Sequence, residues 1–370
     1  MEFDFDVITI GAGVIGAAIS DELSKRNLKV VILEKNLRIA QETSEGNSGV
    51  IHGGFDPTPG KLNAKLNLEG RKLYENDWFK NLDFPWKKID SLILAFSKEE
   101  NSEIQKLYAR GITNGLAKKE LSILTREEVI SLEPNVNPKV TSALLCSASY
   151  AVDPVLLTQS LINRMIKNRG QLKVDHQVIN IETLNSGFRV TCLNNQKKVT
   201  FTSKYIINAA GDYADDIAKL INCQDFTLKT RRGQYCILEK TENHIINNHI
   251  LFMIPTINGK GVIVAPMLDG HILVGPTSHE NVPKSDTRLI TIEDIELINK
   301  IGLKIIPILN INKTCKVISG SRAICVETDD FFIKFASNNT NFINVAGIKS
   351  PGLSSAPTIA LLVANMIKNI

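Results

Sequence analysis

The sequence predicts a mixed α+β and α/β fold, in which a Rossmann-like unit built from discontinuous segments carries an inserted antiparallel sheet. Three observations predict it. A buried strand at residues 7–10 runs directly into the glycine turn GAGVIG and an amphipathic helix, and the next apolar strand, KVVILE, ends at Glu34. The order of strand, glycine turn and helix returns at NAAG and at VAGIKSPG. Before the last of these turns, residues 226–290 are rich in strand and turn signals.

The first glycine turn has the spacing of a dinucleotide-binding fingerprint. Gly11 allows the tight turn, Gly13 lets the backbone approach a pyrophosphate, and Gly16 lets helix and strand pack closely. The helix that follows directs its first N–H groups at the phosphates. Glu34, about 20 residues further on, can accept hydrogen bonds from a ribose diol. The alternative is a glycine-rich turn in an ordinary βα unit.

The second and third glycine turns, at Gly211 and Gly347, bear on the size of the cofactor. A nicotinamide cofactor needs one such turn, whereas a larger dinucleotide threaded through the whole domain uses several. The pattern therefore favours FAD over NAD. For these two turns, a βαβ repeat with structural glycines is the alternative.

The other elements follow from periodicity and from helix caps. Helical spacing predicts helices over KLNAKLNLEGRKLYENDWFKNL, KEENSEIQKLYARGITNG and LTREEVISLEP, and SLILAF is typical of a strand. Asp153, Pro154 and Gly170 bound a helix over DPVLLTQSLINRMIKNRG. QLKVDHQVINIE predicts one strand, followed by a hairpin of GFRVTCL and KVTFTS. Residues 292–309 return to helix, and VISGSRAICV and FFIKFA indicate strands.

Length and composition favour two domains. A chain of 370 residues with 43% hydrophobic content can bury a large core. We expect the Rossmann-like domain to take residues 1–80, 145–225 and 315–370, and a substrate-binding domain to take 81–144 and 226–314.

The charge pattern argues against a nucleic-acid partner, because 43 basic and 39 acidic residues interleave to give a net charge of +4.

No apolar run approaches the roughly 18 residues that a membrane-spanning helix needs. The N-terminus runs straight into the first strand, so we expect no signal peptide. Six cysteines without a CxxC pair indicate reduced thiols and a cytoplasmic location. The histidines show no metal spacing, and no metal is expected.

Longer motifs carry a family resemblance. TSEGNSGVIHGG, with RRGQY, NGKGVIV, SGSR and GIKSPGLSSAP in the same order, resembles the FAD-dependent glycerol-3-phosphate oxidases of mollicutes, within the D-amino-acid oxidase superfamily. The resemblance covers the whole chain. It implies oxidation of sn-glycerol 3-phosphate to dihydroxyacetone phosphate, with hydride passing from C2 to flavin N5 and oxygen giving hydrogen peroxide. It also implies FAD contacts from Val14, Ile15, Glu34, Glu42, Thr43, Asn47, Ser48, Gly49, Val178, Ile348, Lys349 and Ser354.

Such an oxidation needs a base, because the hydroxyl proton must leave as hydride departs from the same carbon. His52 is the candidate, since the ordinary pKa of histidine, about 6.5, suits proton abstraction near neutral pH. Its glycine neighbours, Gly49, Gly53 and Gly54, leave room for a ligand. The resemblance implies that this position faces the isoalloxazine ring. A histidine that caps a turn or fills the core is the alternative.

A phosphate dianion calls for a guanidinium fork and a second cation. Arg322 offers bidentate donors and Lys260 a mobile point charge, while Ser48 and Ser350 can add neutral hydrogen bonds. A surface ion pair is the alternative for Arg322 and a solvated hairpin tip for Lys260. The resemblance places both in the substrate site, and Lys260 distinguishes it from the L-2-hydroxyglutarate dehydrogenases.

Lys349 is expected beside the flavin, where a positive charge stabilises the anionic reduced ring; a solvated lysine is the alternative. Tyr213 and Tyr235 are candidates for shielding the flavin, but aromatic residues at strand ends are more often in the core, so neither is predicted as a site residue. Oxidation of L-2-hydroxyglutarate or of an amino acid remains an alternative activity, and a flavoprotein that modifies transfer RNA is a more distant one. The oligomeric state, any peripheral membrane contact, covalent attachment of the flavin and the choice between oxygen and a quinone stay open.

Overall fold

The computed structural model describes residues 2–254 and 261–367, and its strands and helices are numbered in chain order. The first sheet has a parallel centre with the spatial order β9 (Gln171–Lys173), β2 (Val30–Leu33), β1 (Phe5–Ile10), β12 (Lys197–Asn208) and β20 (Asn339–Ala346). Around it lie the antiparallel strands β10 (Gln177–Leu184) and β11 (Gly187–Asn194), which extend β12, and β19 (Phe332–Ala336), which pairs with β20.

Both faces of the parallel centre are covered, which is why its strands are apolar throughout. Val7 and Ile32 face a cluster formed with the helices α1 (Val14–Ser24), α2 (Leu62–Leu73), α6 (Pro154–Lys167) and α9 (Gly352–Met366). Ile8 and Val31 face the other side, where α7 (Ala214–Lys219) and the β10–β11 hairpin supply the core. The sheet therefore presents the carboxyl ends of its strands, and the turns that follow them, at one edge.

The second sheet is mixed. Its strands follow the order β17 (His279–Glu280), β13 (Leu228–Leu238), β16 (Ile272–Gly275), β15 (Ile263–Pro266), β14 (His249–Met253), β5 (Asp90–Ala95), β7 (Ser142–Cys146) and β6 (Leu121–Thr125), and β18 (Thr314–Cys325) pairs with β13. One face packs on α4 (Lys98–Asn114), and the other on α5 (Arg126–Leu132) and α8 (Ile292–Ile305). A three-stranded sheet joins β3 (Val50–Ile51), β8 (Tyr150–Val152) and β4 (Trp86–Lys88), and α3 (Phe79–Asn81) is a single turn.

The predicted fold class is confirmed, and three details differ from the sequence-based expectation. The segment QLKVDHQVINIE forms two strands, because Asp175 adopts φ 56° and breaks the extended chain. The inserted sheet is not purely antiparallel, since β14 runs parallel to β5. Residues 315–325, which we expected in the Rossmann-like domain, form most of β18 and extend the second sheet through their ladder with β13.

Several local predictions agree with the structure. The hairpin of β11 and β12 turns at Asn195 and Gln196, whose φ values of 45° and 63° suit a two-residue loop. Asp153 caps α6 by accepting hydrogen bonds from two backbone N–H groups. The six cysteines are free thiols, five of them buried. No helix within residues 2–254 and 261–367 is long and apolar enough to cross a membrane.

Candidate active site

A cavity of about 620 Å³ lies between the two sheets. Its wall extends from the first glycine turn and Glu34, at the carboxyl ends of β1 and β2, to Arg322 on β18. The other two glycine turns, at Gly211 and Gly347, line the same space. This size falls within the range of cofactor and ligand pockets, and the position matches the crevice where open α/β sheets bind ligands.

The first glycine turn has the geometry that the fingerprint predicts. Gly11 adopts φ +105°, and a Cβ there would lie 2.5 Å from the carbonyl oxygen of Ala209. A Cβ on Gly16 would lie 2.0 Å from the carbonyl oxygen of Gly11, so this glycine permits the close approach of helix and strand and does not itself line the cavity. Gly13 is on the wall, beside the hydroxyl of Ser44. A side chain at Gly11 or Gly16 would overlap backbone atoms, and a side chain at Gly13 would stand on the cavity wall where a ligand is expected.

Glu34 ends β2 with its carboxylate turned back on the glycine turn. Its oxygens accept hydrogen bonds from the backbone N–H groups of Ala12, at 2.7 Å, and Asn36, at 2.8 Å. Burial raises its pKa above the ordinary value, and these two hydrogen bonds oppose the rise. The side chain of Asn36 in turn donates to Glu42, which also lines the cavity. Acceptor oxygens at this edge suit a ribose diol.

The loop between β2 and β3 is fixed by its own side chains. Asn47 donates to the carbonyl oxygens of Thr43 and Ser44 and accepts from the N–H of Gly49. Thr43 donates across the cavity edge to the carbonyl oxygen of Ser321, at 2.8 Å. Thr43, Asn47 and Ser48 line the cavity as expected. Gly49 lies behind the wall, because a Cβ there would meet the carbonyl oxygen of Val152 at 2.4 Å.

His52 directly follows β3, and its side chain lies on the cavity wall. Its backbone is held from both sides: its N–H donates to the hydroxyl of Ser354, at 2.8 Å, and its carbonyl oxygen accepts from the amide of Asn67, at 3.3 Å. The imidazole is 9% exposed, and its ring centre lies 6.1 Å from that of Phe252. The histidine is thus buried, fixed in position and open to the cavity.

The third glycine turn brings Ile348, Lys349, Ser350 and Ser354 to the cavity. The ammonium of Lys349 forms an ion pair with Asp329, which Lys61 also contacts, at 3.3 Å. Burial acts to raise the pKa of the Asp329 carboxyl, but Lys349 and Lys61 together outweigh it and hold that pKa below its ordinary value. Lys349 therefore reaches the wall as a cation that already has a carboxylate partner.

Arg322 reaches the cavity from β18, opposite Arg231 of β13. The two guanidiniums differ in their partners. Arg231 also lines the cavity but is bound by the carboxylate of Glu280. Arg322 lies near the phenol of Tyr235, whose pKa it acts to lower against the larger effect of burial, and it forms no ion pair with an acidic side chain in the described residues.

Sequence reasoning missed Tyr235 as a site residue. Tyr235 is 5% exposed and lines the cavity together with Arg322 and Ser48. We had expected a core residue. A signal was present in the alternation of the strand, since Arg231, Gly233 and Tyr235 all occupy its cavity face.

The remaining predicted residues that the structure describes also lie on the cavity wall. Val14, Ile15 and Val178 line the cavity, together with Gly211 and Gly347. Tyr213 lines it as well, under the ammonium of Lys35 at 3.7 Å from the ring centre. Lys260 lies outside the described residues.

These features define the class of protein: a dinucleotide-binding protein whose cavity is also lined by a buried histidine and by a guanidinium. A profile of the family described as FAD dependent oxidoreductase, DAO, matches residues 6–366. The chain belongs to this family. FAD is accordingly the cofactor, as the three glycine turns favoured. The cavity wall fits it, because Gly13 carries no side chain where the fingerprint brings the backbone close to a pyrophosphate, and Glu34 offers acceptor oxygens for a ribose.

Individual relatives are close. The glycerol 3-phosphate oxidases of Mycoplasma genitalium and Mycoplasma pneumoniae are 44% and 45% identical to this chain over 355 residues, covering 96% of the chain and 92% of each relative. A structure of L-alpha-glycerophosphate oxidase from Mycoplasma pneumoniae, reduced with dithionite and with FAD bound, matches with a TM-score of 0.95 at 43% identity, covering 99% of this chain and 95% of that one. The family resemblance noted in the sequence is therefore confirmed.

Proposed function

We propose that this enzyme oxidises sn-glycerol 3-phosphate to dihydroxyacetone phosphate. FAD, when bound, would supply flavin N5 as the acceptor of the hydride from C2 and the means of reducing oxygen to hydrogen peroxide. The observation that carries the proposal is Arg322, a guanidinium on the wall that also holds His52 and without a carboxylate partner among the described residues. Such a group is suited to bind an anionic part of the substrate. The two Mycoplasma relatives carry the corresponding name.

In this proposal the phosphate lies against Arg322, with neutral hydrogen bonds from Ser48 and Ser350. Lys260 adds a second positive charge, an assignment that rests on the sequence. The guanidinium fork matches phosphate oxygens in two parallel hydrogen bonds, which fixes the orientation of the substrate as well as its affinity. The carbon chain then extends from the phosphate toward His52.

His52 is the proposed base and accepts the proton of the C2 hydroxyl. The hydrogen bonds to Ser354 and from Asn67 fix its backbone, so the imidazole is held on a rigid support. Its burial keeps bulk water from competing for the reacting hydroxyl.

We propose the predicted set of FAD-contacting residues as the cofactor site, with Gly16 and Gly49 acting through backbone packing. The two-domain boundaries also stay proposals, with β18 moved to the substrate-binding domain because it pairs with β13. A cytoplasmic location is supported by the six free cysteines.

The test is an anaerobic titration of the purified yellow holoenzyme with sn-glycerol 3-phosphate, followed by admission of air. We expect the flavin band to bleach and then to recover with stoichiometric hydrogen peroxide. Bleaching with slow recovery would indicate a dehydrogenase with another acceptor. Absence of bleaching would refute the substrate assignment.

The competing substrates are L-2-hydroxyglutarate and glycine, because a guanidinium also binds a carboxylate. Reduction rates are compared at equal concentrations of the three compounds. We expect sn-glycerol 3-phosphate to be preferred, and Lys260→Ala to weaken that preference. If the Lys260→Ala variant keeps the full preference, Lys260 does not bind the phosphate.

A further inference from the structure

A lysine outside the cavity is bound to two residues of the cavity wall. Lys284 lies in the connector between β17 and α8, residues 281–291, and does not itself line the cavity. Its ammonium donates to the carboxylates of Asp215, at 2.5 Å, and Asp216, at 2.7 Å. Its carbonyl oxygen accepts from the hydroxyl of Tyr213, at 3.1 Å. Tyr213 and Asp216 both line the cavity, so Lys284 contacts the wall through its side chain and through its backbone.

The connector joins the second glycine turn to β18. Besides the hydroxyl of Tyr213, the carbonyl oxygen of Lys284 accepts from the hydroxyl of Thr287, at 3.1 Å. The carbonyl oxygen of Thr287 in turn accepts from the hydroxyl of Ser319, on β18, at 3.1 Å. Helix α7, which carries the two carboxylates, has six residues, fewer than the about 12 that an isolated helix needs to be stable. The position of α7 therefore depends on contacts such as those of Lys284.

The part of the wall that Lys284 contacts lies at the end of the cavity where Glu34 is found. Lys35 directly follows Glu34, and its ammonium lies 3.7 Å from the ring centre of Tyr213. The glycine fingerprint places the ribose of the adenosine half at the acidic residue that ends the second strand. Tyr213 and Asp216 are therefore on the wall of the adenosine end.

This wall is rich in carboxylates, although a dinucleotide carries a negatively charged pyrophosphate. The carboxylates on it are those of Glu34, Glu42, Asp212 and Asp216. Lys35 pairs with Glu42, at 3.2 Å, and Lys284 pairs with Asp216. Burial acts to lower the pKa of Lys284, but its hydrogen bonds with Asp215 and Asp216 outweigh it and raise that pKa, so the ammonium is charged. Lys284 thus compensates the charge of Asp216 from outside the space that a ligand would fill.

We propose that Lys284 is a positioning residue for the cofactor, which fixes Tyr213 and Asp216 on the wall of the adenosine end and thereby sets the affinity for FAD. The ion pairs hold α7, and the backbone contact holds the ring of Tyr213. Without them, these groups must be ordered each time the cofactor binds, and that ordering reduces affinity. The inference concerns the cofactor and not the substrate, so it does not depend on the proposed function.

The test uses Lys284→Met, which removes the charge and keeps a side chain of similar length. The Kd of FAD is measured from the rise in flavin fluorescence as the holoenzyme is diluted. We expect the Kd to rise about tenfold, the effect of losing one hydrogen bond between charged groups. At saturating FAD the visible absorbance spectrum of the bound flavin should equal that of the wild type, because the adenosine half is no part of the flavin ring.

Lys219→Met is the matched control. The ammonium of Lys219 lies 3.9 Å from Asp215 and 3.2 Å from Asp216, but Lys219 belongs to α7 itself, so these pairs stay within one helix. We expect its Kd for FAD to lie within about twofold of the wild type, as for other exposed ion pairs. Lys284→Arg keeps the charge and the donors, and we expect it to restore the Kd to within about threefold of the wild type.

Tyr213→Phe tests the backbone contact and leaves the ion pairs in place, so it also judges the proposal if Lys284→Met does not fold. We expect it to raise the Kd for FAD as well. An unchanged Kd in either variant overturns the proposal, as does an equal rise in Lys219→Met or a failure of Lys284→Arg to restore affinity. A changed flavin spectrum in Lys284→Met would place its effect at the ring and overturn the proposal too. Because no substrate is present, failure of sn-glycerol 3-phosphate to reduce the flavin would refute the proposed function alone.

Discussion

Asp212 is a buried carboxyl group of the cavity wall whose pKa is raised. It follows the second glycine turn, is 7% exposed and accepts a hydrogen bond from the hydroxyl of Ser321, at 3.1 Å. Burial raises its pKa to about 6, the nearby carboxylate of Glu42 adds to the rise, and the Ser321 hydrogen bond opposes it. At neutral pH this carboxylate is charged in the folded chain, and its burial therefore lowers the free energy of unfolding.

The size and sign of that cost follow from the two pKa values. The ordinary value, 3.8, applies to the unfolded chain, so the folded state binds the Asp212 proton more tightly. The destabilisation is complete above pH 6, falls as the pH drops through this value and disappears below 3.8. A rise from 3.8 to about 6 corresponds to about 3 kcal/mol of unfolding free energy.

Asp212→Asn tests this reasoning, because the amide still accepts from Ser321 and cannot ionise. We expect the variant to be more stable than the wild type by about 3 kcal/mol at pH 8 and by about half as much at pH 5. The free energy of unfolding is measured by denaturant titration with FAD in excess at both pH values. A gain that is the same at both, or no gain at pH 8, would refute the assignment.

Asp216→Asn serves as the control of opposite sign. Although partial burial opposes it, hydrogen bonds from Lys284 and Lys219 lower the pKa of Asp216 below the ordinary value. This substitution removes a stabilising carboxylate, so the variant loses stability at pH 8 and the loss shrinks as the pH falls through the ordinary value of 3.8.

Three further predictions concern the cofactor and the reaction. His52→Ala is expected to slow reduction of the flavin by at least about 100-fold while the absorbance spectrum of the bound flavin is kept, and stopped-flow reduction near the wild-type rate would contradict its role as the base. Gly16→Ala places a Cβ 2.0 Å from a backbone oxygen, so the purified protein loses FAD, read as the ratio of absorbance at the flavin and protein bands; Gly60→Ala, which strains a φ of +85° but meets no atom within 4 Å, keeps it. Asp329→Asn removes the carboxylate partner of Lys349 and should raise the midpoint potential of the flavin, measured by dye equilibration; an unchanged potential would mean that Lys349 is remote from the ring.

The sequence predicted those parts of the site that depend on local spacing. Gly11, Gly13 and Gly16 lie within one turn, so their roles follow from backbone geometry over a few residues. The family motifs then placed His52 and Arg322 in one cavity.

Contacts between distant segments were not predictable in this way. Tyr235 was assigned to the core because aromatic residues at strand ends are more often core residues, and its neighbour on the cavity wall, Arg322, lies on another strand. The ion pair of Lys349 with Asp329 and the pairing of β18 with β13 also join segments that are distant in the sequence. In each case the local sequence is compatible with more than one partner, and tertiary packing determines which partner the residue or strand meets.

Strand β18 links the cofactor end of the cavity to the substrate end. Successive residues of a strand face opposite sides, so Ser321 donates to Asp212 and its backbone accepts from Thr43, while Arg322 turns to Tyr235. One residue earlier, Gly320 has no side chain, and a Cβ there would lie 2.3 Å from the carbonyl oxygen of the glycine opposite it in the loop after β2. The loop that borders the proposed dinucleotide site and the strand that carries Arg322, the proposed anion-binding guanidinium, are thus in direct backbone contact. A shift of β18 by one residue would turn the side chain of Arg322 away from the cavity and break the contacts of Ser321 with Asp212 and Thr43. The long ladder with β13 fixes the register of β18 and so keeps both residues in place.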